Sequence, residues 1–454
     1  WLKHSSCREG GHCCRMRLHG MDQVSEVVAD LLSLMTARTQ QDAIEAAPPK
    51  PTQAGDASQG SQVLASACPA VDVQQCFEVL PDAEQKGWLG GDSDVSLVIG
   101  GGPTGRRALW IFADTFISKY HSPTQTRVLD GFSMPNSTLG LVDMTDSGCT
   151  GQIKYIWQTD DAGQPVSFFE PSLEQKADGE LLWPVAGIAS RDGRSAVLLA
   201  QRIKGFLTVI GTTLIILPDV ASVEDPRQWK YTLLDVGSAN LTWFSSIFFA
   251  DAEGDTVYIF GHGPGADGSA PTPLSQTVLA RACLADLLDQ NWERTEYWVA
   301  PGAWSVSPDN FKALEVPSWE TTCVWSKELG LWYSFHIESF GSEIFLWTAQ
   351  DIIGTWTKTS IYQIPAPFNA SPYINYAAKA HPELVQLTSQ SPAGERTSVG
   401  ESETELVLSF VSNVFETGSD EQCSGNLLFG EGQKAWPVRA YWPRFLRVTA
   451  KRSQ

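Results

Sequence analysis

Positive charge is what this sequence has least of: 32 Lys and Arg stand against 52 Asp and Glu, a formal net charge of -20. Such a chain is repelled at long range by phosphate backbones and anionic bilayers, which excludes a nucleic-acid groove or a charged membrane as partner. Neutral and cationic ligands remain. Long apolar runs are missing as well, with no stretch of the roughly 18 residues that a membrane span needs. The nine Cys contain no CxxC pair and so no zinc-type pattern, and their odd number leaves at least one thiol free or shared between chains. The first residue is Trp rather than Met, and WLKHSSCREGGHCCRMRLHG lacks the apolar core of a signal peptide. That opening reads as a fragment or a misassigned frame.

What is present is a folded, aromatic-rich composition with many turns: 43% hydrophobic residues, 17 Trp, 20 Phe and 38 Gly. Residues 1–62 read as an N-terminal extension. It carries one amphipathic helix over 23–37, with Val24, Val27, Val28, Leu31, Leu32 and Met35 on a face, then a disordered Ala/Pro/Gln/Ser/Gly-rich linker. Residues 63–454 read as one domain. Sequons at Asn136, Asn240 and Asn369 suit an extracellular or secretory-pathway protein.

From residue 88 onward there is little helical periodicity, and apolar runs are punctuated by Gly, Asp and Pro. One unit recurs: strand, Gly- or charge-bearing turn, strand. It reads VSLVI-GGGPTGRRA-LWIFADTFI, VAGIAS-RDGRS-AVLLAQRI, SSIFFA-DAEGD-TVYIFGHG and TTCVWS-KELG-LWYSFHIE. A fifth copy runs ELVQL, a long polar turn, ELVLSFVSN. The second strands begin at Leu109, Ala196, Thr256, Leu331 and Glu405, a spacing that fits four-stranded propeller blades with decorated loops. The expectation is an all-β chain, a five-bladed β-propeller, with a large irregular β-sandwich as the competing fold. Within the first unit GGGPTG matches GxGxxG, but a strand follows where a dinucleotide fingerprint needs a helix, so it reads as a hairpin turn.

In a propeller, the residues leading into the first strand of each blade project into one mouth of the central channel. Here they supply Asp92, Trp183, Trp243, Trp319 with Glu320, and Lys379 with His381. Indoles stack on sugar faces while charged groups bond hydroxyls or move protons, so this set points to a carbohydrate site, with no cofactor or metal required. Asp92 and Asp114 flank the first hairpin, and paired carboxylates are the equipment of glycosidic cleavage. Asp114 stands inside the apolar run Leu109–Ile117; the plainer alternative is that it bonds backbone N–H groups and Thr115 to lock a turn. Asp94, in Asp-Ser-Asp, reads as a solvated turn. Over 373–383, Tyr373, Asn375, Lys379, His381 and Glu383 recur at period 2, on one face of an extended chain, with an ion-paired edge as the alternative. Glu170 and Glu320 are further acids near blade starts, each with an ordinary turn role as the alternative.

These residues resemble a family. Gly91-Asp92 with Ser96, then Leu109-Trp110-Ile111-Phe112-Ala113-Asp114-Thr115, is similar to the five-bladed propellers of the DUF4185/DUF5005 kind. Asn136-Ser137, the Ala-Lys-Ala-His-Pro-Glu run ending at Glu383, Ser-Phe-Val-Ser-Asn at 409–413 and Tyr441-Trp-Pro-Arg-Phe-Leu-Arg-Val448 match in the same order. The resemblance spans about residues 85–449 and implies a glycoside hydrolase, by likeness to endo-acting D-arabinanases of the glycoside hydrolase 183 type, with Asp92 and Asp114 as catalytic pair. Two departures stand out: Ala113 replaces a preferred Gly, and the hairpin between the aspartates is long.

The expected protein is thus a monomeric glycoside hydrolase of a poly- or oligosaccharide, with an arabinan-type furanoside as one substrate. Asn136, Glu170, Trp183, Trp243, Trp319, Glu320, Asn375, Lys379, His381, Glu383 and Asn413 would bind substrate around the two aspartates. The alternative is a propeller that binds carbohydrate without turnover.

Overall fold

The computed structural model describes residues 63–82, 85–102, 105–128, 131–145, 148–149, 151–205, 208–236, 243–251, 253–264, 276–308, 311–370, 373–385, 403–414 and 440–452. The expected extension at 1–62 and the sequon at Asn240 lie outside them. The chain divides into two units, residues 1–55 with 417–426, and 56–416 with 427–454; the first falls wholly outside the described residues.

The second unit is a β-propeller. Five antiparallel sheets of four or five strands follow one another along the chain. The first is built on Val95–Gly100, Arg106–Phe112 and Thr138–Thr145, the second on Glu180–Ala189, Ala196–Lys204, Thr208–Leu217 and Thr232–Val236. The third opens with Trp243–Phe249 and Thr256–His262, the fourth with Cys323–Ser326 and Leu331–Ile337. The fifth joins Tyr373–Ala380, Glu403–Val414 and Arg444–Arg452 to the N-terminal strand Val63–Pro69, in register from Val63 opposite Arg452 to Pro69 opposite Leu446.

The ring is visible in how side chains are shared. Five apolar cores lie between successive sheets, and the last returns from the fifth sheet to the first. Period-2 alternation lets one strand serve two cores. Ala196, Leu198 and Ala200 face the first sheet, while Val197 and Leu199 face the third. Second strands are therefore apolar on both faces, which is why they read as unbroken runs in the sequence.

Three local expectations change. The run Leu109–Ile117 is two strands: Arg106–Phe112 ends, the chain bends at Ala113 and Asp114, and Thr115–His121 joins a small separate sheet with Lys86–Gly91. The fifth sheet starts with Tyr373–Ala380, whereas Pro382–Leu384 is a short 3-10 turn rather than a strand. The sequon at Asn136 is closed, because Ser137 and Thr138 are buried. GGGPTG, as expected, connects two paired strands with Gly100 opposite Arg106.

Cys76, at the end of the helix Val71–Phe77, forms a disulfide with Cys149 beside the first sheet. Among the described cysteines, Cys68, Cys283 and Cys323 are free.

Candidate functional site

The site grows from two bends that meet. The Asp92 N–H donates to the Asp114 carbonyl at 3.3 Å and the Ala113 N–H to the Asp92 carbonyl at 3.0 Å, so the two aspartates are fixed backbone to backbone. After Asp92 the chain passes through Ser93 (φ 73) and Asp94 (φ 48), two successive left-handed residues that are not glycine. Each costs on the order of 1–3 kcal/mol and persists only where surroundings enforce it. Here the Ser93 hydroxyl donates to the Pro184 carbonyl at 2.6 Å, and Asp94 is driven fully into the interior. The expected solvated turn is thus a buried one, because the double reversal aims Asp94 inward.

A third backbone closes on these bends from the far end of the chain. The Gly91 N–H donates to the Tyr441 carbonyl at 3.0 Å, and a Cβ on Gly90 (φ 137) would lie 2.3 Å from that oxygen, so only glycine permits the approach. Arg127, buried, donates to the Leu89 carbonyl and to that of Ala440, clamping the two segments. Tyr441 is held so that its hydroxyl reaches the Asp114 carbonyl at 2.9 Å and neighbours the Asp92 carboxyl.

The Asp92 carboxyl accepts a hydrogen bond from the Tyr376 hydroxyl at 2.9 Å; its other oxygen, Oδ1, is buried without a partner. The Asp114 carboxyl is held by the Asn136 amide at 2.8 Å, with the Trp183 indole beside it. Asn136 is itself anchored through its N–H to the Ser167 hydroxyl. No backbone N–H among the described residues bonds the Asp114 carboxyl, and Thr115 turns its hydroxyl to the Ala113 carbonyl and to Thr138. The turn-locking alternative therefore loses its contacts.

Burial raises all the acids here. It lifts Asp92 to about 6 against the opposing pull of the Tyr376 and Tyr441 hydroxyls and the Lys379 charge. It lifts Asp114 to about 7, with the Asp92 charge adding to the rise. Glu320 also rises to about 7, through burial and Asp92 and against Lys379. Lys379 is pushed down to about 8 by burial, opposed by Glu320, Asp94 and Asp92. As whole residues Asp92, Asp114 and Glu320 are partly buried rather than sealed, although Asp92 Oδ1 itself is buried.

Of the residues predicted from sequence, the structure gathers Asp92, Asp114, Asn136, Trp183, Glu320 and Lys379. Asn413 joins them through the Tyr376 hydroxyl, to which its amide donates at 3.3 Å, and Trp319 packs edge-on against Phe340, which in turn meets Tyr376. Others lie elsewhere. Asn375 is buried and fully engaged with the Gly341 and Phe368 carbonyls and the Ser412 hydroxyl. Glu170 pairs with Lys176. His381 is sealed behind the acids, its ring tilted against Trp110 with both ring nitrogens engaged, and Glu383 lies beside it. The side chain of Trp243 lies outside the described residues.

The period-2 face over 373–383 fails for one physical reason. A bulge between Tyr376 and Lys379, with Ala377 at φ 54, shifts the phase of the strand. Tyr376, expected on the opposite face, reaches Asp92 instead. Sequence reasoning thus missed Tyr376, Tyr441 and Asp94; Tyr441 lay in a quoted motif, but nothing in the sequence marks the bulge.

A family model described as a domain of unknown function, DUF5005, matches residues 82–389. No curated protein matches the chain in sequence. Among solved structures, a family 117 glycoside hydrolase produced by Zobellia galactanivorans is similar at 9% identity and TM-score 0.38, over 86% of this chain and 90% of that one. A GH43_1 enzyme from Xanthomonas citri is similar at 10% identity and TM-score 0.36, over 81% and 90%. A GH43 β-1,3-galactosidase is similar at 8% identity and TM-score 0.34, and the chain covers 60% of that protein's length. At these scores the likenesses carry no argument about activity or substrate.

Proposed function

The chain belongs to the DUF5005 family, and from its cleft we propose that it is a glycoside hydrolase with Asp92 and Asp114 as the working pair. One observation carries the reading: two carboxyl groups fixed backbone to backbone, with ordinary values displaced to about 6 and about 7. In this reading the two raised carboxyls share one proton, Asp114 holding it while the Tyr376 hydroxyl and the Lys379 charge favour an ionised Asp92, the division of labour that glycosidic cleavage requires. Asp114 gives its proton to the leaving oxygen as the bond from that oxygen to the anomeric carbon breaks. Asp92 acts on the opposite side as nucleophile or as base toward water, and water supplies the hydroxyl of the new sugar end.

The neighbours fit such a role. Tyr376 steadies the charge on Asp92, Asn136 orients Asp114, and Lys379 offsets the concentration of acid. Trp183 and Trp319 offer ring faces at the rim for sugar stacking. Each of the five sheets counts as one blade in this reading, and the family resemblance makes an arabinan-type furanoside the first substrate to try. The Cys76–Cys149 disulfide supports folding in an oxidising, secretory compartment.

The test is product release from a panel of polysaccharides, arabinans included, by wild type, Asp92→Asn and Asp114→Asn. Release by wild type alone is expected. Equal release by all three sinks the assignment, and binding without release in all three marks a carbohydrate-binding propeller.

A further inference from the structure

Behind the cleft runs a chain of buried polar groups that the proposed chemistry does not use. Ser96 Oγ lies 2.7 Å from His381 Nδ1, His381 Nε2 lies 2.8 Å from Ser409 Oγ, and Ser409 Oγ lies 3.2 Å from Asp94 Oδ2. Asp94, His381 and Ser409 are sealed from solvent. At the far end Glu383 Oε1 faces His381 Nδ1 at 3.6 Å, and it has no hydrogen-bond partner of its own.

Burial pushes the His381 imidazole down and favours its neutral form, so each contact has one hydrogen, the chain has a direction, and two directions exist. In the first, Ser96 donates to Nδ1, Nε2–H donates to Ser409, and Ser409 donates to an ionised Asp94. That sets the Glu383 oxygen against the bare lone pair of Nδ1. It also buries a full charge on Asp94 next to Asp92, with Asp94 Oδ1 lacking any donor. In the second, Nδ1–H points at Ser96 and the Glu383 oxygen, Ser409 donates to the lone pair of Nε2, and Asp94 donates its own proton to Ser409. Both penalties then vanish, since a neutral carboxyl tolerates a bare carbonyl oxygen far better than a carboxylate does.

We propose that Asp94 is held as a neutral carboxylic acid by this directed chain, whose sense is set where Glu383 meets His381, so that the charge of the Asp92–Asp94 pair rests on Asp92. Asp94 is on this view a positioning residue, and its part in catalysis rests on the glycosidase reading. The other acids facing it agree, whereas the Ser409 hydroxyl, as a donor, and Lys379 would favour the charged form. Asp92 on its own turn and Glu320 from the lead-in to the fourth sheet oppose a negative charge on Asp94, as does burial, the largest influence. Lys379 from the fifth sheet favours that charge, but divides its pull among Glu320, Asp94 and Asp92. The Tyr155 hydroxyl, whose ionisation Asp94 opposes, is neutral and brings no cation.

The test needs no substrate, so its failure and that of the hydrolase assignment are distinguishable. In 15N-labelled wild-type protein at neutral pH, His381 is assigned through bonds from its own Cβ, and its two ring nitrogens are read for tautomer. A proton on Nδ1 with a pyridine-type signal at Nε2 is expected; a proton on Nε2 overturns the proposal. In parallel, infrared difference spectra of wild type against Asp94→Asn should show loss of one protonated-carboxyl C=O band. Loss of a carboxylate pair of bands instead overturns it. Should Asp94→Asn fail to fold, the wild-type tautomer alone decides.

Discussion

The seam between the second and third sheets and the seam between the fifth and first are built from the same kind of strand, yet they do opposite things. The former is apolar along its length, with Val197, Leu199, Phe244, Val257 and Ile259 closed over one another. The latter begins as an apolar seam of the same kind, with Trp110, Phe112, Val407 and Phe445, but at its inner end it gives way to Asp92, Asp94 and Lys379. One seam is pure cohesion; the other gives up cohesion to bring like charges together.

The contrast breaks most sharply under Asp92→Asn, which is expected to lower the rate of sugar release by about 10²–10⁴-fold while leaving the fold intact. Release assays on a folded sample, checked by circular dichroism, decide it. The mirror experiment is Phe244→Ala in the cohesive seam. Removing this fully buried ring should cost about 3–5 kcal/mol in urea unfolding, with no change in turnover per folded molecule.

A smaller effect sharpens the picture. Tyr376→Phe removes the hydroxyl that holds Asp92 down, so the rising limb of the pH–rate profile, expected near about 6 in the wild type, should move upward. The falling limb near about 7 belongs to Asp114 and should stay. Narrowing of the bell supports the assignment; a profile that shifts as a whole contradicts it.

The smallest effect concerns stability. Asp114 binds its proton more tightly folded than unfolded, so a penalty absent below about pH 4 grows as pH rises through about 7. Asp114→Asn removes that penalty and should stabilise the protein at pH 8 on the order of 1 kcal/mol, a figure kept small because the shift is shared with Asp92. At pH 5 the gain should largely disappear. Paired thermal melts at the two values test the sign.

The same contrast explains what the sequence revealed. The second strands at Ala196, Thr256 and Leu331 begin where the runs predicted, since burial on both faces writes itself as uninterrupted apolar residues. The first strand of the fifth sheet, Tyr373–Ala380, was legible as an extended chain, but its phase was not, because it breaks at Ala377. Asp92 and Asp114 were legible as carboxylates flanking a hairpin. Asp94 was not, because a Ser-Asp pair in left-handed conformation looks in sequence like any solvated bend. Tyr376 fell on the wrong face because of a single bulge.

The strand Val63–Pro69, paired with Arg444–Arg452, has a consequence for how the protein is made. Its partner lies at the other end of the described residues, so the strand must wait, unpaired at its edge, until that partner has been made. Sheets two to four have all their strands by then, but the fifth is complete only when these ends meet. Tyr441, which sits just ahead of the closing strand and touches both bends of the cleft, arrives at the same time. The acids thus come under their final constraint only when this sheet closes.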